Sequence, residues 1–193
     1  MGIHDEPILT FRTAADWEAW LEREHARFEG GVWLRLAKKG ATLQTHSYAE
    51  ALDVALCWGW IDGQKRALDK EAFLQRFTRR RPRSIWSKIN CGKVEALVAS
   101  GRMRPPGQRE VDAAKADGRW EAAYEGQRTA TVPPDLAAAL AADPKAKAAF
   151  ESLDGANRYA ILYRLQEAKR PETRTRRLEK YLAMLAAGGK IHG

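Results

Sequence analysis

A period of two in the side chains, the mark of a strand, opens the sheet of this chain at residues 32–37. Val32, Leu34 and Leu36 alternate with Trp33, Arg35 and Ala37 before Lys38-Lys39-Gly40 breaks the run, a period of two that reads as a strand. Two further strands are predicted at 60–68 and 72–79, joined by a tight connection at Asp69-Lys70-Glu71. The rest follows helical spacing. Thr13-Ala14-Ala15-Asp16 opens a helix in capping-box style, with Trp17, Trp20, Leu21 and Phe28 as its apolar stripe and Gly30-Gly31 as its expected end. Ser47-Tyr48-Ala49-Glu50 is a full capping box, and Gly59 stands where the C′ residue of that helix belongs.

After Pro82 a helix is expected from Ser84 to about 99, with Ile85, Ile89, Ala96 and Leu97 inward, followed by another from about 106 to 117. Beyond Val132-Pro133-Pro134-Asp135 everything reads helical: 136–142, 144 to about 153, 156–169 and 172–187. The expectation is therefore an α+β fold, predominantly helical, with a small antiparallel sheet of about three strands. A length of 193 residues suits an α+β core at 1–131 carrying a helical C-terminal region, 132–193, packed on it.

Charge is distributed unevenly. Between residues 72 and 94 stand Arg76, Arg79, Arg80, Arg81, Arg83, Lys88 and Lys93 with no Asp or Glu, which is +7 of a net +8. This stretch runs from a strand end through a basic turn into the expected helix start at Ser84. Unpaired N–H groups, a helix dipole of roughly half a positive charge and guanidinium forks all favour an anion there. Ser84, Ser87, Lys88 and Asn90 add donors, and Trp86 is a stacking candidate. The competing reading is a solvated basic loop with Trp86 in the core. The anion site is favoured because clustered arginines repel one another unless something negative compensates.

With the hairpin centred on Lys70, Gln64 faces Arg76 and Asp62 faces Thr78, so that Asp62, Gln64, Arg66, Arg76 and Thr78 share one face while Ile61, Phe73 and Phe77 go to the core. Asp62 is then the one acid in reach of the arginines. It suits a ligand-orienting carboxylate or a salt-bridge partner better than a general base, since arginines lower a carboxyl pKa. A register slip of one residue reverses the assignment. A second basic face, Arg170, Arg174 and Arg177, lies beside the stripe Leu178, Tyr181, Leu182 and Leu185. It reads as a solvated face over a core stripe, with joining the anion site or touching nucleic acid as the alternatives.

No G-x-S-x-G, H-E-x-x-H, Walker A, G-x-G-x-x-G or C-x-x-C is present, the four histidines lack ligand spacing, and Cys57 and Cys91 stand alone. No metal or cofactor is called for, and no reaction is named. The longest uncharged apolar run is far short of a membrane span, and the acidic first residues do not read as a secretory signal. A cytoplasmic setting is expected, with packed, reduced thiols. The expected partner is a small anionic, phosphate- or carboxylate-bearing ligand; nucleic acid and an enzyme using Asp62 are the alternatives.

Several segments carry a likeness. Ser47-Tyr48-Ala49-Glu50-Ala51-Leu52, Ala55 to Gln64 with its Cys57-Trp58-Gly59-Trp60-Ile61-Asp62-Gly63-Gln64, Arg76-Phe77-Thr78, and Arg80 to Asn90 form its centre. Gly101-Arg102-Met103, Asp117-Gly118-Arg119-Trp120 and Ala168 to Arg174 continue it. On these residues the chain resembles the YdeI/OmpD-associated family, also labelled bacteriocin-protection proteins, departing from its pattern at Arg79, where Pro follows Phe-Thr. The resemblance implies a bacterial protein linked by name to protection against bacteriocins or cationic peptides, with no catalytic residues to carry over.

Overall fold

The computed structural model describes residues 6–192; His4 and the rest of the acidic N-terminal segment before Glu6 lie outside them. The chain divides into two compact units, one made of the residues through Trp86 with Asn90–Ala123, the other of Ser87–Ile89 with the residues from Tyr124 onward.

The first unit places one sheet against helices. Its strands are β1 (Ile8–Leu9), β2 (Val32–Ala37), β3 (Trp60–Ala67) and β4 (Ala72–Arg79), in the order β1-β2-β4-β3. The three longer strands pair antiparallel as expected, and the two-residue β1 adds a parallel edge beside β2. Val32, Leu34, Leu36 and Phe77 point to the core, where helices α1 (Ala14–Glu24) and α2 (Tyr48–Cys57) supply Trp17, Leu21, Leu52 and Leu56. Trp17 is fully buried, edge-on to Trp60, and its indole donates to the Ala51 carbonyl at 3.2 Å, so its one polar group is satisfied.

Both capping boxes form. Thr13 exchanges bonds with Asp16, and Ser47 with Glu50, so two otherwise orphaned N–H groups are satisfied at each helix start. Gly59 has φ +74°, and a Cβ there would meet the Pro106 carbonyl at 3.0 Å, so this turn needs glycine on two counts. Helix α1 ends at Glu24 rather than at Gly30-Gly31. The amides of Arg27 and Phe28 both fold back to the Glu24 carbonyl, at 3.0 and 2.8 Å, and Phe28 then packs edge-on against Trp20.

Helix α3 (Lys88–Ala99) starts four residues later than expected. Arg83 sits at φ +65°, outside helical space, and the Ser84 amide closes a turn onto the Arg81 carbonyl. Without a helical 84–87 the Ile85/Ile89 pair is not on a helix face. Both side chains are exposed, as is Ala96, and the inward stripe is Cys91, Val94 and Leu97. Helix α4 (Pro105–Ala116) buries Val111 and Ala114 in the same core. Cys57 and Cys91 are buried free thiols, and burial pushes the Cys57 pKa up to about 11.

The second unit holds four helices, α5 (Pro134–Ala142), α6 (Pro144–Ser152), α7 (Gly155–Gln166) and α8 (Pro171–Ala186), in the order the sequence predicts. Proline stands in the first turn of α5, α6 and α8, and Asp143 and Asp154 cap α6 and α7 by accepting from Ala146 and Asn157. Leu136, Leu140, Phe150, Ile161, Leu165, Tyr181 and Leu185 make its core. No described helix is long and apolar enough to cross a membrane.

Candidate functional site

The β3–β4 hairpin begins in the expected register and then changes it. Ala67 pairs with Phe73, Arg66 with Leu74 and Lys65 with Gln75, all centred on Lys70. Farther from the turn, Asp62 pairs with Phe77, Ile61 with Thr78 and Trp60 with Arg79. Gly63 and Gln64 together stand opposite Arg76, a bulge of one residue that shifts everything beyond it to the other face. Asp62 therefore shares the core-side face with Trp60 and Phe77, while Arg76 and Thr78 lie on the opposite face with Ile61.

Gln75 holds the bulge. It is 4% exposed, and its amide nitrogen donates to the Gly63 and Gln64 carbonyls at 3.0 and 3.2 Å. Leaving the buried Gln75 amide unpaired would cost about 1–3 kcal/mol. In the sequence Gln75 shows as a lone polar residue between inward Phe73 and Phe77, the signal from which such a bulge is legible.

Asp62 and Gln64 consequently do not meet the arginines. Asp62 accepts from the Tyr48 hydroxyl at 2.8 Å; burial, and then this bond, push the phenol well above its ordinary pKa. Gln64 is exposed on the bulge.

Four of the predicted arginines do come together. Arg76, Arg79, Arg80 and Arg81 line a cleft of about 570 Å³, with Gly30-Gly31 and three carboxylates, Glu6, Glu29 and Glu110. Arg76 grips Glu6 with two guanidinium nitrogens, Nε at 2.6 Å and Nη2 on the other oxygen, and the Gly31 amide donates to the same carboxylate at 3.0 Å. The bond from Arg76 holds Glu6 below the usual carboxylate range against the opposing effect of desolvation. A Cβ on Gly31 would lie 2.7 Å from that guanidinium, so the fork fits because residue 31 has no side chain.

Arg80 is 6% exposed and lies over Trp86, its guanidinium carbon 3.5 Å from the ring centroid, while donating to the Ile85 carbonyl at 3.3 Å. Trp86 is itself 2% exposed, packs on Trp120 and does not line the cleft, so it backs Arg80 and offers no face to a ligand, contrary to expectation. Arg79 and Arg81 differ. Both are exposed, and neither makes a side-chain hydrogen bond or ion pair among the described residues.

Other predicted residues stand elsewhere. Arg83 is exposed but does not line the cleft, and the Ser84 carbonyl accepts from Arg119 at 2.8 Å instead of starting a helix. Asn90 begins the first unit's share of α3, whereas Ser87 and Lys88 belong to the second unit, where Lys88 pairs with Glu125 at 2.9 Å and gives its amide to the Tyr124 carbonyl. Lys93 pairs with Asp53 at 2.7 Å. The stretch without acids in sequence thus meets acids in space, and Asp62 is not among them.

In the second unit Arg174 binds Asp135 through Nε and Nη2 at 2.6 and 2.8 Å and donates Nη1 to the Leu165 carbonyl at 2.8 Å. Arg177 donates to the Arg164 carbonyl and lies 3.8 Å from Glu167. These carbonyls end α7, where the helix dipole favours cations, so both arginines act as caps. Arg170 precedes α8, and its carbonyl accepts from the Arg174 amide. A smaller cleft of about 230 Å³ in this unit is lined by charges already paired, Lys88 with Glu125 and Arg174 with Asp135.

Comparison with protein families divides the chain along similar lines. The model described as Domain of unknown function (DUF8412) matches residues 9–110. The model described as Bacteriocin-protection, YdeI or OmpD-Associated matches residues 129–188, in support of the resemblance read from the sequence. Of the segments that carried that resemblance, only the last, around Lys169 to Arg174, falls within its match; the central ones lie in the first. No curated protein and no solved structure matches the chain significantly.

Proposed function

Since this chain belongs to the family described as Domain of unknown function (DUF8412), a description that carries no activity, we propose its function from the cleft: it binds a small ligand bearing a carboxylate or phosphate. One observation carries the reading. Arg79 and Arg81, which make no ion pair or side-chain hydrogen bond among the described residues, line the same cleft as Arg76 and Arg80, which the fold holds in place. Guanidinium groups so placed offer planar, bidentate recognition of an oxyanion.

The C-terminal match is described as bacteriocin-protection, which supports a role of that kind, and we take ligand binding as the chain's contribution to it. We place it in the cytoplasm, a reducing compartment that suits two buried free thiols. An extended nucleic-acid surface is the weaker reading, because Arg174 and Arg177 have their head groups engaged inside the second unit. The enzyme reading loses its residue, since Asp62 is engaged by Tyr48 and, past the bulge, lies on the face of the sheet opposite Arg76.

Titration calorimetry with inorganic phosphate and succinate tests the proposal. Binding should weaken about tenfold or more in the double variant Arg79→Gln/Arg81→Gln, the loss expected for charge-assisted hydrogen bonds. Equal binding by both proteins would remove the arginines from the reading.

A further inference from the structure

The cleft is not uniformly basic. Two of its seven charged side chains, Arg76 and Glu6, neutralise each other through the bidentate pair, and Arg80 is folded into the wall over Trp86. What remains is Arg79 and Arg81 against Glu29 and Glu110. None of these four makes an ion pair or side-chain hydrogen bond among the described residues, although charges of both signs line one cavity.

They come from separate elements. Arg79 ends β4 and Arg81 lies in the turn beyond it; Glu29 lies in the connection between α1 and β2; Glu110 is on α4. The stem of Glu110 is seated by Gly59, whose missing Cβ would come within 3.2 Å of the Glu110 Cγ. Opposite charges left apart across a cleft stay solvated until a ligand bridges them. A bare oxyanion would satisfy the arginines and be repelled by the carboxylates.

Resting on the proposed oxyanion site, the geometry points to a dipolar ligand, an amino acid or short peptide whose carboxylate meets Arg79 and Arg81 and whose ammonium meets Glu29 and Glu110. A cavity of about 570 Å³ has room for a dipeptide. The ammonium contributes three donors to two carboxylates and turns their repulsion into recognition.

The test is calorimetry on the whole chain with four probes: dialanine, N-acetyl-dialanine, dialanine amide and inorganic phosphate. Dialanine should bind best, with either blocked form weaker by about tenfold or more, as expected for one lost charge-assisted contact. Glu29→Gln/Glu110→Gln should erase the preference over N-acetyl-dialanine, and circular dichroism would verify that this variant folds. N-acetyl-dialanine or phosphate binding as tightly as dialanine would overturn the dipolar ligand and leave the oxyanion site standing. Dialanine amide binding as tightly as dialanine, or no binding by any probe, would overturn both.

Discussion

Arginine is concentrated in both units, yet the two units use it differently. In the second, Arg174 and Arg177 are structural: one holds Asp135, and both cap the end of α7. In the first, Arg76 and Arg80 are held by Glu6 and Trp86, while Arg79 and Arg81 are left facing an open cleft. The difference teaches that basic density does not mark a site. What marks one is charge that the fold positions but leaves without a partner.

The largest effect should come from breaking the best-buried pair. Glu6 and Arg76 have side chains only 6% and 14% exposed, and Glu6→Ala strands a guanidinium, at a cost of about 3 kcal/mol in urea unfolding of the first unit. Glu6→Leu combined with Arg76→Met should cost less than the two changes summed. A strictly additive double variant would show that the pair is not coupled.

Next comes Arg174→Met, which leaves Asp135 and the Leu165 carbonyl without their donor. Because the pair is about a third exposed, the expected loss is smaller, about 1–2 kcal/mol, seen in the transition of the second unit. An unchanged midpoint would remove the capping role.

Acidification should then separate structural from cleft arginines. Glu6 and Asp135 are both held below their ordinary values of 4.5 and 3.8 by Arg76 and Arg174. A carboxylate with a depressed folded-state pKa contributes stability that is complete above its unfolded value and disappears as pH falls through the folded one. The first unit should therefore weaken below about pH 4.5 and the second below about pH 3.8, and Glu6→Gln and Asp135→Asn should each flatten that slope in its own unit. The smallest effect on stability belongs to Arg79→Gln/Arg81→Gln, within about 0.5 kcal/mol of the parent. A larger loss would make them structural as well and weaken the contrast between the units.

Local rules carried most of the fold. The capping boxes at Thr13 and Ser47, the C′ glycine at 59 and the first-turn prolines at 134, 144 and 171 act within one helical turn, so they are legible in the chain itself. The hairpin shows where legibility stops. Its turn was centred correctly on Lys70, but the bulge at Gly63-Gln64 is stabilised by Gln75 from across the ladder, and it moved Asp62 away from Arg76. Helix α3 was likewise placed too early, because the left-handed backbone of Arg83 is a feature of conformation and not of residue type.

By itself, the sequence determined the helices, the three longer strands and the position of the arginines along the chain, because periodicity, caps and composition are short-range properties. Which arginines are engaged was decided only in three dimensions. Glu6, Glu29 and Glu110 are remote from residues 76–81 in the chain, and Coulombic and hydrogen-bonding partners are chosen by distance in space. A stretch free of acid in sequence became a cleft with carboxylates in it, and that changed the ligand we propose for it.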